Sequence, residues 1–221
     1  MLGTEVRRVE DPDLLCGRGT YVDNLRFEGA LYLAFVRSPF AHALINTIDV
    51  SEAAKAPGVI AVYSAEDLGL PTLPAFLEVN PQCGRYPLAT DRVRFVGEPV
   101  VAVVGESAAA ATDALELVDI DYDPLPVAVD LEQTLAPDAP MQFPDLGSNI
   151  AAGNRDAEEN VLEGANVVVR ARIENQRLAV APMEGNAIAA LPGDGDYDAT
   201  IYVSTQMPHG FRAAVRKVFG W

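Results

Sequence analysis

The chain has 221 residues, 49% of them hydrophobic, with a formal net charge of −16 from 32 acidic and 16 basic side chains. That length suits one large domain or two small ones, and the acidity excludes nucleic-acid binding and docking on anionic membranes, because polyanions are held by basic surfaces. Cys16 and Cys83 stand alone, no apolar run reaches membrane-spanning length, and residues 1–13 have no signal-peptide core, so a cytoplasmic protein with reduced thiols is expected.

Residues 1–29 read as irregular, punctuated by Asp11-Pro12, Gly17, Gly19 and Gly29. The apolar run Leu31–Val36 predicts a strand buried on both faces, and Leu44–Val50 predicts a second strand. Ser51 is placed to cap a short helix over 52–56, which Pro57-Gly58 ends, and Val59–Tyr63 returns as a strand. Residues 69–90, broken by Pro71, Pro74, Pro81 and Pro87, read as a long loop. Strands are then predicted at Val93–Val96 and Val100–Val104. A helix capped by Ser107 follows through about Leu117, and a strand at Val118–Tyr122 closes a strand–helix–strand unit, right-handed if its strands pair in parallel.

From Asp123 to about Gly153 the proline-rich stretch reads as a linker. Beyond it, strands are expected at Asn166–Ile173, Asn186–Leu191 and Ala199–Ser204, with Gly193-Asp-Gly-Asp turning the last pair. A closing helix opened by Pro208 places Phe211, Ala214, Val215 and Val218 on one face. The expected surface of the last seventy residues is apolar and prone to association.

Individual motifs are weak. Gly17-Arg-Gly19 lacks the third glycine, the preceding strand and the lysine of a phosphate loop, so a turn is the better reading, and a small nucleotide-binding protein ranks far behind. Asp194, Asp196 and Asp198 alternate like a calcium loop, yet Ala199 and Thr205 stand where glycine and glutamate are needed. His42 and His209 have no ligand cluster, so no metal site is assigned, and no nucleophile elbow or catalytic residue emerges. Gln206 remains. It sits where a strand runs into the Pro208 helix, and its carboxamide can hydrogen-bond an oxo group without adding charge.

The ordered set of segments is more specific than any member. Arg8-Val-Glu-Asp-Pro, Gly17-Arg-Gly-Thr-Tyr-Val-Asp, Arg37-Ser-Pro-Phe-Ala-His-Ala and Pro57-Gly-Val-Ile-Ala-Val come first. Leu88-Ala-Thr-Asp-Arg-Val-Arg-Phe-Val-Gly-Glu-Pro-Val, Asp121-Tyr-Asp-Pro-Leu-Pro, Pro182-Met-Glu and Ser204-Thr-Gln206 with Pro208-His209 follow. Together they resemble the start of the molybdenum-binding large subunit of the molybdenum hydroxylases, the family of xanthine dehydrogenase, aldehyde oxidase and aerobic carbon monoxide dehydrogenase.

The resemblance implies an α+β fold: a hammerhead-type mixed α/β domain with an N-terminal arm over 1–135 and a linker over 136–160. The start of a molybdenum-cofactor-binding α+β domain then occupies 161–221. It also implies that Gln206 lies beside the molybdenum and hydrogen-bonds an oxo ligand, as the matching glutamine does in the family. The implied reaction is hydroxylation of an aldehyde or N-heterocycle with oxygen from water, or oxidation of carbon monoxide. The implied cofactor is molybdopterin cytosine dinucleotide with molybdenum, and the implied partners are an iron–sulfur small subunit, an FAD-binding medium subunit and a second copy of the chain. Two departures matter. Gly185-Asn186 replaces the family's frequent Pro-Arg, and the glycine-rich cofactor loop and base glutamate do not occur. The chain is therefore expected to be the opening part of such a subunit, binding no cofactor and inactive by itself. The alternative is a stand-alone hammerhead module that contacts sister subunits without catalysis.

Overall fold

A computed structural model of the chain describes residues 3, 5–73, 80–153, 162–176 and 178–221. It divides into two compact units: Gly29–Val161, and Met1–Glu28 together with Leu162–Trp221.

In the first unit, β1 (Tyr32–Arg37), β3 (Val59–Tyr63) and β5 (Pro99–Gly105) form one sheet in the order β1-β5-β3. A second sheet holds β2 (Ala43–Asp49), β4 (Arg92–Val93) and β6 (Asp119–Pro124) in the order β4-β2-β6. Every pairing is antiparallel. The predicted strand–helix–strand units thus exist, but each places its two strands in different sheets, so no parallel crossover forms.

The central strand is β5. It is hydrogen-bonded on both edges, and Val100, Val101 and Val103 are fully buried. Each such valine contributes about 1.5–3 kcal/mol relative to exposure. Val93 and Ala43 join this core, and Ile45, Ile48, Ile120 and Tyr122 pack against it. The reading of Leu31–Val36 as buried on both faces is corrected: β1 is an edge strand, with Leu31 and Leu33 each 54% exposed.

Helix α3 (Ala108–Asp113), continued by a 3-10 turn over Ala114–Leu117, packs on β1 and β5. Its start is capped as predicted, the Ser107 hydroxyl accepting the Ala110 N–H at 3.1 Å. Ser51 does not cap. The Asp49 carboxylate takes the Ser51 N–H at 2.9 Å, and only a 3-10 turn forms over Ala53–Lys55. The strand expected at Val93–Val96 stops at Val93, because the Glu98 carboxylate captures the Arg94 N–H.

The proline-rich stretch is fastened to this unit. Asn149 donates to the Thr134 and Pro140 carbonyls, both at 3.0 Å, and Gln142 donates to the Arg94 carbonyl.

A short helix, α2 (Ala65–Leu68), opens with a reciprocal cap in which Asp67 accepts the Ser64 N–H at 2.7 Å and Ser64 accepts the Asp67 N–H. The Ser64 N–H holds the Asp67 carboxyl below its ordinary 3.8, with the Ser64 hydroxyl adding to the effect. A lowered folded pKa means that this cap stabilises the fold above the unfolded pKa and is lost as pH falls through the folded value. Carbon-13 NMR titration is expected to place the Asp67 midpoint under 3.8. In Ser64→Ala, which removes the hydroxyl but keeps the N–H, the midpoint moves part of the way back.

In the second unit, α1 (Asp11–Leu15) precedes a hairpin of β7 (Ile188–Pro192) and β8 (Ala199–Val203), and α4 (Pro208–Phe219) ends it. The Asp194 carboxylate accepts the Asp196 N–H within the hairpin turn. Phe211, Ala214, Val215 and Val218 are the half-buried residues along α4, as their spacing predicts. The strand expected at Asn166–Ile173 does not form: it has no partner strand among the described residues, and Val167, Val169 and Ile173 are 79%, 84% and 88% exposed. β-branched residues favour a strand only when an edge is there to receive them. No helix among the described residues is long and apolar enough to cross a membrane.

Candidate functional site

Within the second unit the fold gathers three of the motifs that are far apart in sequence. The Ser204 hydroxyl, at the end of β8, accepts the Ala187 N–H at 2.8 Å and donates to the Gly185 carbonyl at 3.0 Å. The Ser204 N–H also reaches the Ala187 carbonyl at 3.0 Å. Ser204-Thr-Gln206 is thereby stapled to the segment that follows Pro182-Met-Glu. The Glu184 carboxylate in turn accepts the Val22 N–H at 3.2 Å, which brings in Gly17–Asp23. The Phe27 and Tyr202 rings meet at 5.6 Å. Immediately before this cluster Ala181 holds φ +42°, a left-handed conformation that costs a non-glycine residue about 1–3 kcal/mol.

Gln206 occupies the turn between β8 and α4. Its side chain is exposed and hydrogen-bonds no described residue. The turn itself is held by the Thr205 hydroxyl, which accepts the Met207 N–H at 3.1 Å. Pro208 takes the first helical position, where its missing N–H is no loss. The N–H groups of Gln206, His209 and Gly210 have no acceptor among the described residues. Gly210 lets Met207 fold over the helix start, since a Cβ there would lie 3.0 Å from the Met207 methyl carbon. The result is a neutral row of donors, one carboxamide and three backbone N–H groups, at the positive end of a twelve-residue helix. Beside it, β8 and α4 flank a groove of about 500 Å³ that includes Ile201, Val203, Phe211 and Val215.

The two histidines are placed differently. His42 is 4% exposed in the first unit, and its Nδ1–H donates to the Pro126 carbonyl at 3.0 Å while Nε2 is buried without a partner among the described residues. That is a packing role, tying β2 to the segment after β6. His209 lies exposed in the first turn of α4. Cys16 and Cys83 are free thiols. Among the described residues no group of three histidine, cysteine or carboxylate side chains is arranged to hold a metal ion.

Sequence reading missed a polar cluster in the first unit. The Glu98 side chain, only 5% exposed, accepts the Arg94 N–H. The Arg94 guanidinium lies 4.7 Å from the centroid of the Phe143 ring, and its Nε is buried without a hydrogen-bond partner among the described residues. The signal available was the Gly97-Glu98-Pro99 turn, where a carboxylate beside a glycine with φ +88° can turn back on the preceding N–H groups.

Residues 16–126 match the family model for the aldehyde oxidase and xanthine dehydrogenase a/b hammerhead domain, and residues 142–221 match that for the molybdopterin cofactor-binding domain. The chain is 37% identical over its whole length to the nicotine 6-hydroxylase large subunit of Paenarthrobacter nicotinovorans, covering 28% of that protein. It is 32% identical to the carbon monoxide dehydrogenase large chain of Afipia carboxidovorans, covering 99% of this chain and 29% of that one. Among solved structures, the Cu,Mo carbon monoxide dehydrogenase superposes with a TM-score of 0.82 at 31% identity, over 99% of this chain and 29% of its own. The aldehyde oxidoreductase of Desulfovibrio gigas superposes with a TM-score of 0.80 at 25% identity, over 96% of this chain and 25% of its own. The chain thus spans little more than a quarter of the length of these two large subunits.

Proposed function

This chain belongs to the aldehyde oxidase and xanthine dehydrogenase family, the molybdenum hydroxylases, and we propose that its residues 161–221 furnish one wall of a molybdopterin site in a large subunit. That subunit would hydroxylate an aldehyde or N-heterocycle with oxygen from water, or oxidise carbon monoxide. The observation that carries this reading is Gln206: exposed, without a partner among the described residues, and set at the start of α4 inside the span matched by the cofactor-binding model.

The donor set fits the group. An oxo ligand and a pterin phosphate are acceptors, and the wall offers neutral donors that hold an acceptor without the cost of a second buried charge. When bound, the molybdenum–pterin group, in its cytosine dinucleotide form, supplies the two-electron oxidation of the substrate carbon. Gln206 would orient it by one N–H of the carboxamide, and the backbone N–H groups of His209 and Gly210 would face its anionic parts. Ser204 keeps the turn in register by its bonds to Gly185 and Ala187. Such outer supports tune a metal site through the position of its ligands.

The remaining assignments are part of the same proposal. Relatives include a "large subunit", a "large chain" and a "complex subunit gamma". A division of labour with an iron–sulfur small subunit, an FAD-binding medium subunit and a second copy of the chain follows, in the cytoplasm.

The test is elemental analysis with assay of released pterin, on the 221-residue chain and on the whole subunit that contains it. The whole subunit is expected to carry one molybdenum per chain, and the 221 residues alone to show no turnover. Turnover with stoichiometric molybdopterin from the 221 residues alone would overturn the single-wall reading, and a whole subunit without molybdenum would overturn the function.

A further inference from the structure

We propose, building on the role assigned to Gln206, that Glu184 is a positioning residue for the Gln206 turn: its carboxylate latches the N-terminal arm to the segment that holds Ser204. Glu184 is half-buried, and its carboxylate has no basic partner among the described residues. It is spent instead on one backbone group, the Val22 N–H at 3.2 Å. Val22 opens the 3-10 turn Val22–Asn24, so this N–H has no acceptor inside its own turn. A carboxylate placed there caps the turn by a charge-assisted bond. The arm meets the hairpin a second time where the Phe27 and Tyr202 rings lie 5.6 Å apart, and Met1–Glu28 forms one compact unit with Leu162–Trp221.

The next residue carries the latch to Gln206. The Gly185 carbonyl accepts the Ser204 hydroxyl at 3.0 Å, and Ser204 stands two residues ahead of Gln206. Glycine has the freest backbone of any residue, and Gly185 belongs to no strand, so its carbonyl stays on Ser204 only if the chain is fixed on both sides of it. On the far side, Ser204 binds both the N–H and the carbonyl of Ala187. On the near side, the one side-chain hydrogen bond from residues 181–184 to a described residue is that of Glu184 to Val22.

Ala181 makes that bond matter. Its φ of +42° is left-handed, a conformation that persists in a residue with a β-carbon only where the surroundings enforce it. Released from Val22, residues 181–186 relax toward ordinary backbone angles and draw the Gly185 carbonyl away. The Ser204 hydroxyl is then left with the Ala187 carbonyl, 3.3 Å away, as its acceptor. The end of β8 loses one of its two anchoring residues, and the turn Thr205–Met207, which carries Gln206, loosens with it.

The first experiment is amide hydrogen exchange on the full 221-residue chain, comparing the parent with Glu184→Ala and Glu184→Gln. In Glu184→Ala the Val22, Ala187 and Met207 amides are expected to exchange about 5- to 10-fold faster, the worth of roughly one hydrogen bond, while the β7–β8 ladder is unchanged. Glu184→Gln keeps a carbonyl oxygen on the same stem and is expected to restore all three. Acceleration confined to Val22 is what a mere fastener of the arm gives, and it would overturn the proposal, as would no acceleration at all. The second experiment uses the whole molybdenum-containing subunit. Glu184→Ala is expected to retain its molybdenum and its KM and to lower kcat about 3- to 10-fold, less than loss of a group that supports the metal site directly. The paramagnetic resonance signal of the half-reduced molybdenum is expected to shift in the same sense as in Gln206→Ala. The double variant Glu184→Ala/Gln206→Ala is expected to be no slower than Gln206→Ala, since both changes act through one side chain. Should Glu184→Ala fail to fold or to hold molybdenum, Glu184→Asp, with its carboxylate drawn back by one methylene, gives the reading by the same criteria. Unchanged kcat and signal, or losses that multiply in the double variant, would overturn the latch and leave Gln206 in the site. Full turnover in Gln206→Ala would instead remove the site reading on which the latch rests.

Discussion

Gln206→Ala, introduced into the whole molybdenum-containing subunit, is expected to lower turnover by about 10- to 100-fold, the usual effect of removing a group that supports a metal site from outside its ligand sphere. Gln206 makes no hydrogen bond to a described residue, and its side chain is exposed, so truncating it removes no contact that holds β8 to α4. Those elements are kept together by the Ser204 bonds to Gly185 and Ala187 and by the Thr205 hydroxyl on the Met207 N–H. Folding stability is therefore expected to change by less than about 0.5 kcal/mol, the normal range for a surface substitution. A loss of activity at constant stability separates a positioning role from a structural one.

Gln206→Glu sharpens the test. It keeps length and shape but replaces the NH2 donor by an acceptor, and it puts a negative charge where an oxo group would approach. Its turnover is expected to fall at least as far as that of the alanine variant, whereas a merely space-filling role predicts near-full activity. The paramagnetic resonance signal of the half-reduced molybdenum gives a second readout, expected to shift in both variants. Unchanged turnover and an unchanged signal in both would remove Gln206 from the site.

How much of this was legible in the sequence differs from place to place. The capping hydroxyl of Ser107 and the face formed by Phe211, Ala214, Val215 and Val218 rest on local chemistry, and the structure keeps them. The Leu31–Val36 run misled because apolarity reports a preference for burial and not the number of neighbours. With β5 as its one partner strand among the described residues, β1 leaves part of that surface open. Ser51 does not cap because it lies in the turn that Asp49 closes, and the helical turn starts one residue later, with Glu52 at its cap position. The Asn166–Ile173 strand failed for want of a partner edge, which no local pattern encodes. Gln206 was legible as a turn residue before Pro208, but only the ordered set of motifs gave it a role. The Arg94–Gln142 contact joins positions 48 residues apart, beyond the reach of any spacing rule.

Gly105→Ala is expected to destabilise the Gly29–Val161 unit by about 1–3 kcal/mol, and Gly105→Val by more. Gly105 ends β5, opposite Tyr32 on β1 and Val59 on β3, so sheet pairing fixes its backbone from both sides. A Cβ at this position would sit 2.8 Å from the Ala111 nitrogen and 3.1 Å from the Ala111 Cα. Those are backbone atoms of α3, and a rotamer change cannot move them away. The helix cannot retreat cheaply, because Ala111 is 1% exposed and the Ser107 cap fixes the helix start. Against the clash stands the gain from a less flexible unfolded chain, about 0.4–1 kcal/mol for glycine to alanine, so the steric cost wins. The backbone of Gly105 is not in the left-handed region, unlike that of Gly58 or Gly97, so the effect isolates close approach from conformational strain. Gly185→Ala makes the control, since nothing lies within 4 Å of its added carbon. Urea unfolding should show a lowered midpoint with an unchanged slope for Gly105→Ala, and no loss of stability, with a gain of up to about 1 kcal/mol, for Gly185→Ala. A Gly105→Ala midpoint at or above the parent would mean that α3 does not press on the end of β5, and the packing of the helix against the first sheet would have to be redrawn.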